Sequence, residues 1–362
     1  MGKIKVLYLI NFAGKAGTEK YVENLIDFLP TDEFEPHLCF NIDGPLADKM
    51  RAKNVPCHQL TMNSPFDRKA AKDLVKICKE NGIDVIHAQY PRENYIALAA
   101  KKKLPTLKVI FTSHLTLCQN AVWKFFNKRL MKNNDCVISV CNEGRDILIA
   151  NGVPKDRIKV IFNGIDASKS PEHDRSYIAD LVPENAVVAT ALARLSPEKG
   201  LDFLIDCVAE AKKKAKGDLR VLIAGDGELK DQLQEHIDRC GLPETVKLLG
   251  FRTDVPKILA ASDIGLNCAS SNEAMSFALL ESLAAGLALV TTDVGGNRDL
   301  CEYAGEAGIC VPYGNTAAYA EALVTLTDNA EKRTQMSANA RHKAQNEFDL
   351  SSLLSQTIKL YK

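Results

Sequence analysis

At 362 residues, with 46% apolar and 25% charged positions, the chain exceeds what one hydrophobic core usually serves, so two ordinary globular domains are expected. Lys and Arg balance Asp and Glu at 46 each and no base-reading motif occurs, which argues against a nucleic-acid partner. No apolar run approaches the roughly 18–20 residues of a membrane span, and Met-Gly-Lys-Ile-Lys leads straight into a strand pattern without a signal-peptide profile, so a cytoplasmic protein is expected. Eleven cysteines, an odd number with no C-x-x-C pair, read as reduced, buried thiols rather than disulfides or zinc ligands.

In chain order, KIKVLYLIN (3–11) is a buried-type strand. GKAGTE (14–19) is a Gly-bearing turn, and a helix follows with Tyr21, Leu25 and Phe28 on one face. Strand, Gly loop and helix open a dinucleotide-type βα unit. Short apolar strands recur at 37–42, 84–88, 108–113, 136–140 and 159–163, with helical stretches such as RKAAKDLVKICKENG between them. Strands alternating with helices imply a parallel sheet covered on both faces. His114 falls just past the end of the 108–113 strand, where open α/β sheets place their ligand crevice.

After NGID (163–166) the polar, proline-bearing stretch 167–185 reads as a linker, and a second series of strands begins at 187–195, 218–225, 245–250, 263–269, 287–293 and 308–312. The final FDLSSLLSQTIKLYK is amphipathic and is expected to pack as a closing helix. The expected fold is α/β, with two Rossmann-like domains facing across a central cleft.

The densest chemistry lies in Ser270–Asn297, SSNEAMSFALLESLAAGLALVTTDVGGN. Ser276 has the position of a helix N-cap and Gly286 that of a C-cap. Phe277, Leu280, Glu281 and Ala284 share a helical face, which puts Glu281 in an apolar stripe where it needs a donor or a ligand such as ribose hydroxyls. The start of that helix offers free N–H groups to an anion. In ALARLSPEKG, Arg194 and Lys199 stand five residues apart around a Ser-Pro turn, a fork and a point charge suited to one diphosphate. IAGDGEL (223–229) adds a strand-to-Gly junction at Gly225. No Asp-x-Asp, Walker loop or G-x-S-x-G occurs, so protein cations and helix N–H groups are expected to hold phosphates without a metal or other cofactor.

The ordered set of the 14–19 loop, His114, NGID, ARL…EKG, AGDGEL, LGF…ASD, and Glu273 with Glu281 in a Glu-x7-Glu pattern ahead of TTDVGG resembles a GT-B glycosyltransferase of the retaining family 4, over nearly the whole chain. The resemblance implies an N-terminal acceptor domain over 1–168, joined by the closing helix 347–362, and a donor domain over 169–346. It further implies that Arg194 and Lys199 hold the donor diphosphate with the backbone at Phe277 and Ala278. Glu281 would bind ribose, and the backbone near Phe251 the base. Gly17 and Gly225 would allow close approach, and Glu273 and His114 would act at the transferred sugar.

The implied reaction moves a hexose from a UDP-sugar, in preference to a GDP-sugar, to a glycan or lipid-linked acceptor in envelope or polysaccharide synthesis. A nucleotide-sugar epimerase on the same architecture is the alternative. The sequence departs from the family pattern at Ala16-Gly17, Ala274 and Leu287-Ala288, where the family has Gly-Gly, Gly and a Pro-bearing pair.

Charge is uneven along the chain. Residues 1–166 hold 25 Lys and Arg against 18 Asp and Glu, and Lys101–Asn134 has eight basic residues and no acidic one. Within it AVWKFFNKRLMK groups Trp123, Phe126 and Leu130 with Lys124, Lys128, Arg129 and Lys132. A basic helix with aromatics suits an anionic membrane surface, so peripheral contact at the inner membrane face is expected.

Overall fold

The computed structural model describes residues 2–114, 117–271, 273–303 and 305–362, so Leu115–Thr116 of the basic segment and Asn272 of the central stretch lie outside the described residues. The chain divides into two compact units, Met1–Asn163 with Leu353–Lys362, and Gly164–Ser352. Each is a parallel sheet flanked by helices.

The first sheet contains β1 (Ile4–Phe12), β2 (Phe34–Ile42), β3 (Cys57–Gln59), β4 (Val85–Ala88), β5 (Lys108–Ser113), β6 (Cys136–Ser139) and β7 (Ile158–Val160), in the order β3-β2-β1-β4-β5-β6-β7. The second contains β8 (Val187–Leu192), β9 (Leu219–Ala224), β10 (Val246–Gly250), β11 (Ile264–Asn267), β12 (Ala288–Thr292) and β13 (Gly308–Val311), in the order β10-β9-β8-β11-β12-β13. Every pairing is parallel. Unbroken apolar runs such as Val6–Ile10 are what strands covered on both faces require, and all five of those residues are buried. In both sheets the chain reverses direction beside the first strand, between β1 and β4 and between β8 and β11. Loops at the carboxyl ends of those strand pairs form the ligand crevices of open α/β sheets.

The helices between strands are capped locally. Asp67 accepts from the Ala70 N–H at 3.0 Å, and Gly82 closes the same helix in the left-handed region at φ 65°. The last helix, Leu350–Tyr361, starts in the second unit and ends in the first, where Tyr361 is buried.

The structure corrects four expectations. Strand β3 was not foreseen. The stretch 167–185 is not a free linker: Ile178 and Val182 are buried with Val188, Leu222, Ile258 and Ala261, and Arg175 pairs with Asp263 at 2.6 Å. Phe28 is exposed, because the helix it ends buries only Tyr21, Val22, Leu25 and Ile26 of its apolar residues. On helix Phe277–Ala284 the buried residues are Leu279, Leu280, Ser282 and Leu283, while Glu281 is only half-buried beside Phe277 and Ala284. Eight residues make just over two turns. The packed face is set by β11, β12 and helix Ala330–Asn346 rather than by an apolar stripe.

Among the described residues no helix is long and apolar enough to cross a membrane, and the cysteines are free.

Candidate active site

In the second unit the loops after β8 and β11 flank the switch point, and they carry Lys199 and Glu273. These two form an ion pair, Nζ to Oε2 2.8 Å, with only 23% and 11% of their side chains exposed. Arg194 is well exposed and pairs with Glu198 at 3.3 Å. The Ser196 hydroxyl, donating at 2.7 Å, leads the interactions that hold the Glu198 carboxyl below its usual range. Arg194 and Lys199 thus each have a carboxylate of their own, and the two cations are not drawn onto a common partner.

The backbone around these residues is tightly fastened. Ser270 N–H donates to the Glu198 carbonyl at 2.9 Å, and the Cys268 thiol donates to the Lys199 carbonyl at 3.1 Å. Gly200 adopts φ 63°, and a Cβ there would overlap the Cys268 carbonyl oxygen. Gly225, after β9, packs against the Ala193 carbonyl in the same way, and Leu229 N–H donates to Leu195 at 3.1 Å, so the AGDGEL loop braces the turn bearing Arg194. Gly295, at φ 61°, lies directly behind the Glu273 carbonyl, and Gly296 N–H donates to Ala274. These close approaches explain the glycines at 200, 225 and 295. Gly200→Ala is expected to displace Lys199 and lower kcat/KM by roughly 10–100-fold, since misplacements of about 1 Å cost that much, and steady-state kinetics beside a circular-dichroism check of folding would measure it.

Below these loops a buried polar network sets the register. Ser276 Oγ caps helix Phe277–Ala284 by accepting from Leu279 N–H, and Asn267 Nδ2 lies 3.4 Å from the same hydroxyl. Asn297 donates to Asn267 at 3.2 Å and to the Thr292 carbonyl at 3.1 Å, and Tyr319 O–H donates to the Asn267 carbonyl at 3.1 Å. Phe277 and Ala278 occupy the first turn, where backbone N–H groups lack intrahelical acceptors, and Glu281 follows one turn later. Phe251 directly follows β10 and is 76% exposed.

In the first unit Gly17 begins the helix that packs Tyr21 edge-on against His114, ring centroids 4.7 Å apart. Gln89 Nε2 donates to the His87 carbonyl at 3.0 Å, which turns its Oε1 toward His114 Nε2 at 2.8 Å. His114 Nε2 therefore carries the proton and Nδ1 the lone pair. Burial pushes the His114 pKa down to about 3, so the ring is neutral at physiological pH. Behind it His87 bridges Tyr361 (2.8 Å) and Thr112 (2.7 Å), and Thr112 also meets Tyr21 at 3.2 Å. Sequence reasoning passed over His87, Gln89, Gly200 and Gly295. A His closing an otherwise aliphatic strand, DVIHA, was the available signal for the first two.

The aromatic part of the basic segment folds as helix Ala121–Leu130, but Trp123 turns inward to stack on Phe66 and Tyr95, and Phe126 packs tilted against Phe66, at centroid distances of 5.1–6.1 Å. The apolar side chains left exposed are Val122 and Phe125, accompanied by Leu117 and Phe66. Phe66 and Tyr95 also line a groove of about 710 Å³ floored by Ala71, Val75, Ile96 and Ala99 and rimmed by Arg68, Lys72, Lys79 and Lys103. Its one carboxylate, Asp67, is already occupied by the Ala70 and Asn63 N–H groups.

Residues 16–169 match the family model described as Glycosyltransferase Family 4, and residues 177–343 the model described as Glycosyl transferases group 1. The chain is 27% identical to the UDP-Gal:alpha-D-GlcNAc-diphosphoundecaprenol alpha-1,3-galactosyltransferase of Escherichia coli, over 99% of this chain and 97% of that one. It is also 27% identical to a Campylobacter jejuni N-acetylgalactosamine-N,N'-diacetylbacillosaminyl-diphospho-undecaprenol 4-alpha-N-acetylgalactosaminyltransferase, over 96% of each. Among solved structures it is similar to the Anabaena protein HepE in complex with UDP (TM-score 0.85, 23% identity, 98% and 99% of the two chains). A glycosyltransferase from Rickettsia africae is similar over 100% and 98% (TM-score 0.86, 19% identity).

Proposed function

This chain belongs to the GT-B glycosyltransferases of the family 4 type, and from that premise we propose that it moves a hexose-type sugar from a UDP-sugar to a hydroxyl of a lipid-linked glycan, with retention at the anomeric carbon. The observation that carries this reading is the half-buried Lys199–Glu273 pair at the β8/β11 switch point. It supplies a cation for a diphosphate and, beside it, a carboxylate for sugar hydroxyls. UDP is favoured as the carrier because relatives are named for UDP-galactose or were solved with UDP.

In this reading Lys199 and Arg194 hold the diphosphate with the first N–H groups of helix Phe277–Ala284, Glu281 accepts from ribose hydroxyls, and the backbone near Phe251 receives the base. The bond from the anomeric carbon to the diphosphate oxygen breaks as the acceptor oxygen bonds to the same face. The acceptor's proton passes to the departing phosphate. Cations and N–H groups fixed where negative charge grows supply the stabilisation, and no metal is invoked. Neutral His114, its Nδ1 lone pair set by Gln89, accepts a hydroxyl hydrogen of sugar or acceptor.

The first unit takes the acceptor. Its groove combines an apolar floor with four cations, matching the chain and diphosphate of an isoprenoid-linked sugar, and the exposed Val122 and Phe125 would meet the lipid surface at the inner membrane face. Vesicles containing anionic lipid should sediment the protein at low salt, and Lys72→Glu with Lys103→Glu should release it. Wild type remaining in the supernatant would remove the membrane part of the proposal.

The donor is tested by following UDP or GDP release from a panel of nucleotide sugars with an undecaprenyl-diphosphate-linked acceptor. A single sugar transferred from UDP, with the α linkage of the donor kept, supports the reading. Release of GDP alone, or a β-linked product, overturns it.

A further inference from the structure

We propose that the second unit carries a zinc site that clips helix Leu201–Lys214 to helix Lys230–Arg239, with Asp206, His236 and Cys240 as ligands. The sequence hides it, because the donors come from two helices and no C-x-x-C pair marks them. In space the ligand atoms of all three lie within 4.8 Å of one another. A tetrahedral zinc with bonds of about 2.0–2.3 Å needs its donors about 3.3–3.7 Å apart. Side-chain rotation shortens the longer separations and lets the Nε2–Asp206 contact of 2.9 Å widen around the ion.

The arrangement is more than a surface ion pair. His236 is 13% exposed and directs Nε2 at Asp206 Oδ1, 2.9 Å away, while Nδ1 faces Asp202 Oδ1 at 3.3 Å. A metal would replace the proton that lies between Nε2 and Asp206 while Asp202 goes on accepting from Nδ1–H, the carboxylate–histidine orientation that ligating imidazoles adopt. Asp202 and Asp206 stand one turn apart on the first helix, and His236 and Cys240 one turn apart at the end of the second. The half-buried Cys240 brings a sulfur donor that an ordinary His–Asp contact would not need. One imidazole, one thiolate and one carboxylate with water in the fourth position is a borderline-soft set, suited to zinc and not to calcium or magnesium. The thiol gives its proton to solvent as the metal binds.

The two helices begin where the donor loops end, at Gly200 and just beyond Leu229, so the metal would fasten the supports of Lys199 and of the Gly225 loop. No residue assigned to the donor is among the ligands.

Cobalt(II) is the probe. Added to reduced, metal-stripped protein, one equivalent should give a thiolate-to-cobalt charge-transfer band and the visible bands of a four-coordinate ion, both displaced by zinc. Cys240→Ser should abolish the charge-transfer band and His236→Ala should lose tight binding. Asp202→Asn should keep the band but weaken binding about 10–100-fold. Absence of a charge-transfer band in wild type, or a band that Cys240→Ser leaves intact, overturns the proposal.

Discussion

Replacing Lys199 by Ala is expected to cut kcat/KM by roughly 10²–10³, the usual cost of removing one preorganised group aimed at charge that develops in the transition state. The Lys199–Glu273 geometry adds a second effect. With the ammonium gone, Glu273, only 11% exposed, remains as an unbalanced carboxylate where the diphosphate must lie. UDP binding should therefore weaken as well as turnover. Glu273→Gln should do the opposite to UDP, which binds at least as tightly once a neighbouring negative charge is removed, while kcat falls because a contact to the sugar is lost. Glu281→Ala should weaken UDP and leave the sugar-dependent part of kcat nearly unchanged. Combining Lys199→Ala with Glu273→Gln should recover part of the lost UDP affinity, the non-additivity expected of side chains in direct contact. Titration calorimetry with UDP and steady-state kinetics on the four variants give these signs separately. UDP binding to Lys199→Ala as tight as to wild type would remove Lys199 from the diphosphate site.

What could be read from the residues follows from how each feature is encoded. Strands such as Val6–Ile10 and Val187–Ala191 were legible because a strand covered on both faces reads as a short, nearly continuous apolar and β-branched run. Strand β3 was not, being only three residues, Cys57–Gln59, at a sheet edge, with none of them fully buried. The stretch 167–185 was misread because two anchors, Ile178 and Val182, sit in a polar background, and only the second unit's surface reveals what they fill. Glu281 was assigned to a stripe that a helix of eight residues is too short to define. Motif spacing picked out Arg194, Lys199, Glu273 and Glu281. It could not show that Lys199 meets Glu273, 74 residues later, or that the two cations take separate carboxylates. The inward turn of Trp123 and Phe126 was equally out of reach, since their partner Phe66 precedes them by more than fifty residues. His87 looked like the end of a strand because its partners, Thr112 and Tyr361, come from a later strand and the last helix.

That histidine sets the second large expectation, a loss of stability of the first unit in mild acid. His87 is fully buried, and desolvation, with the nearby His114 second, lowers its pKa from 6.5 to about 3. Between those values the unfolded chain binds a proton that the folded chain refuses, so stability present above pH 6.5 falls as the pH drops and is lost progressively down to about pH 3. At about 1.4 kcal/mol per unit the full span is worth roughly 4–5 kcal/mol, comparable with the whole stability of many domains. His114, largely but less completely buried than His87, adds in the same direction. His87→Phe is the informative variant, because both hydroxyls it abandons keep a partner: Tyr361 retains Tyr8 at 3.2 Å, and Thr112 retains Tyr21 at 3.2 Å. The variant should lose stability at pH 7 through the two bonds to the imidazole, yet its stability should decline less steeply between pH 6.5 and 4, by about one proton per molecule unfolded. Trp123, the single tryptophan, lies in the first unit, so urea unfolding followed by its fluorescence at a series of pH values reports on this unit without interference from the second. Parallel slopes for wild type and His87→Phe would mean that the buried imidazole is not the group that titrates.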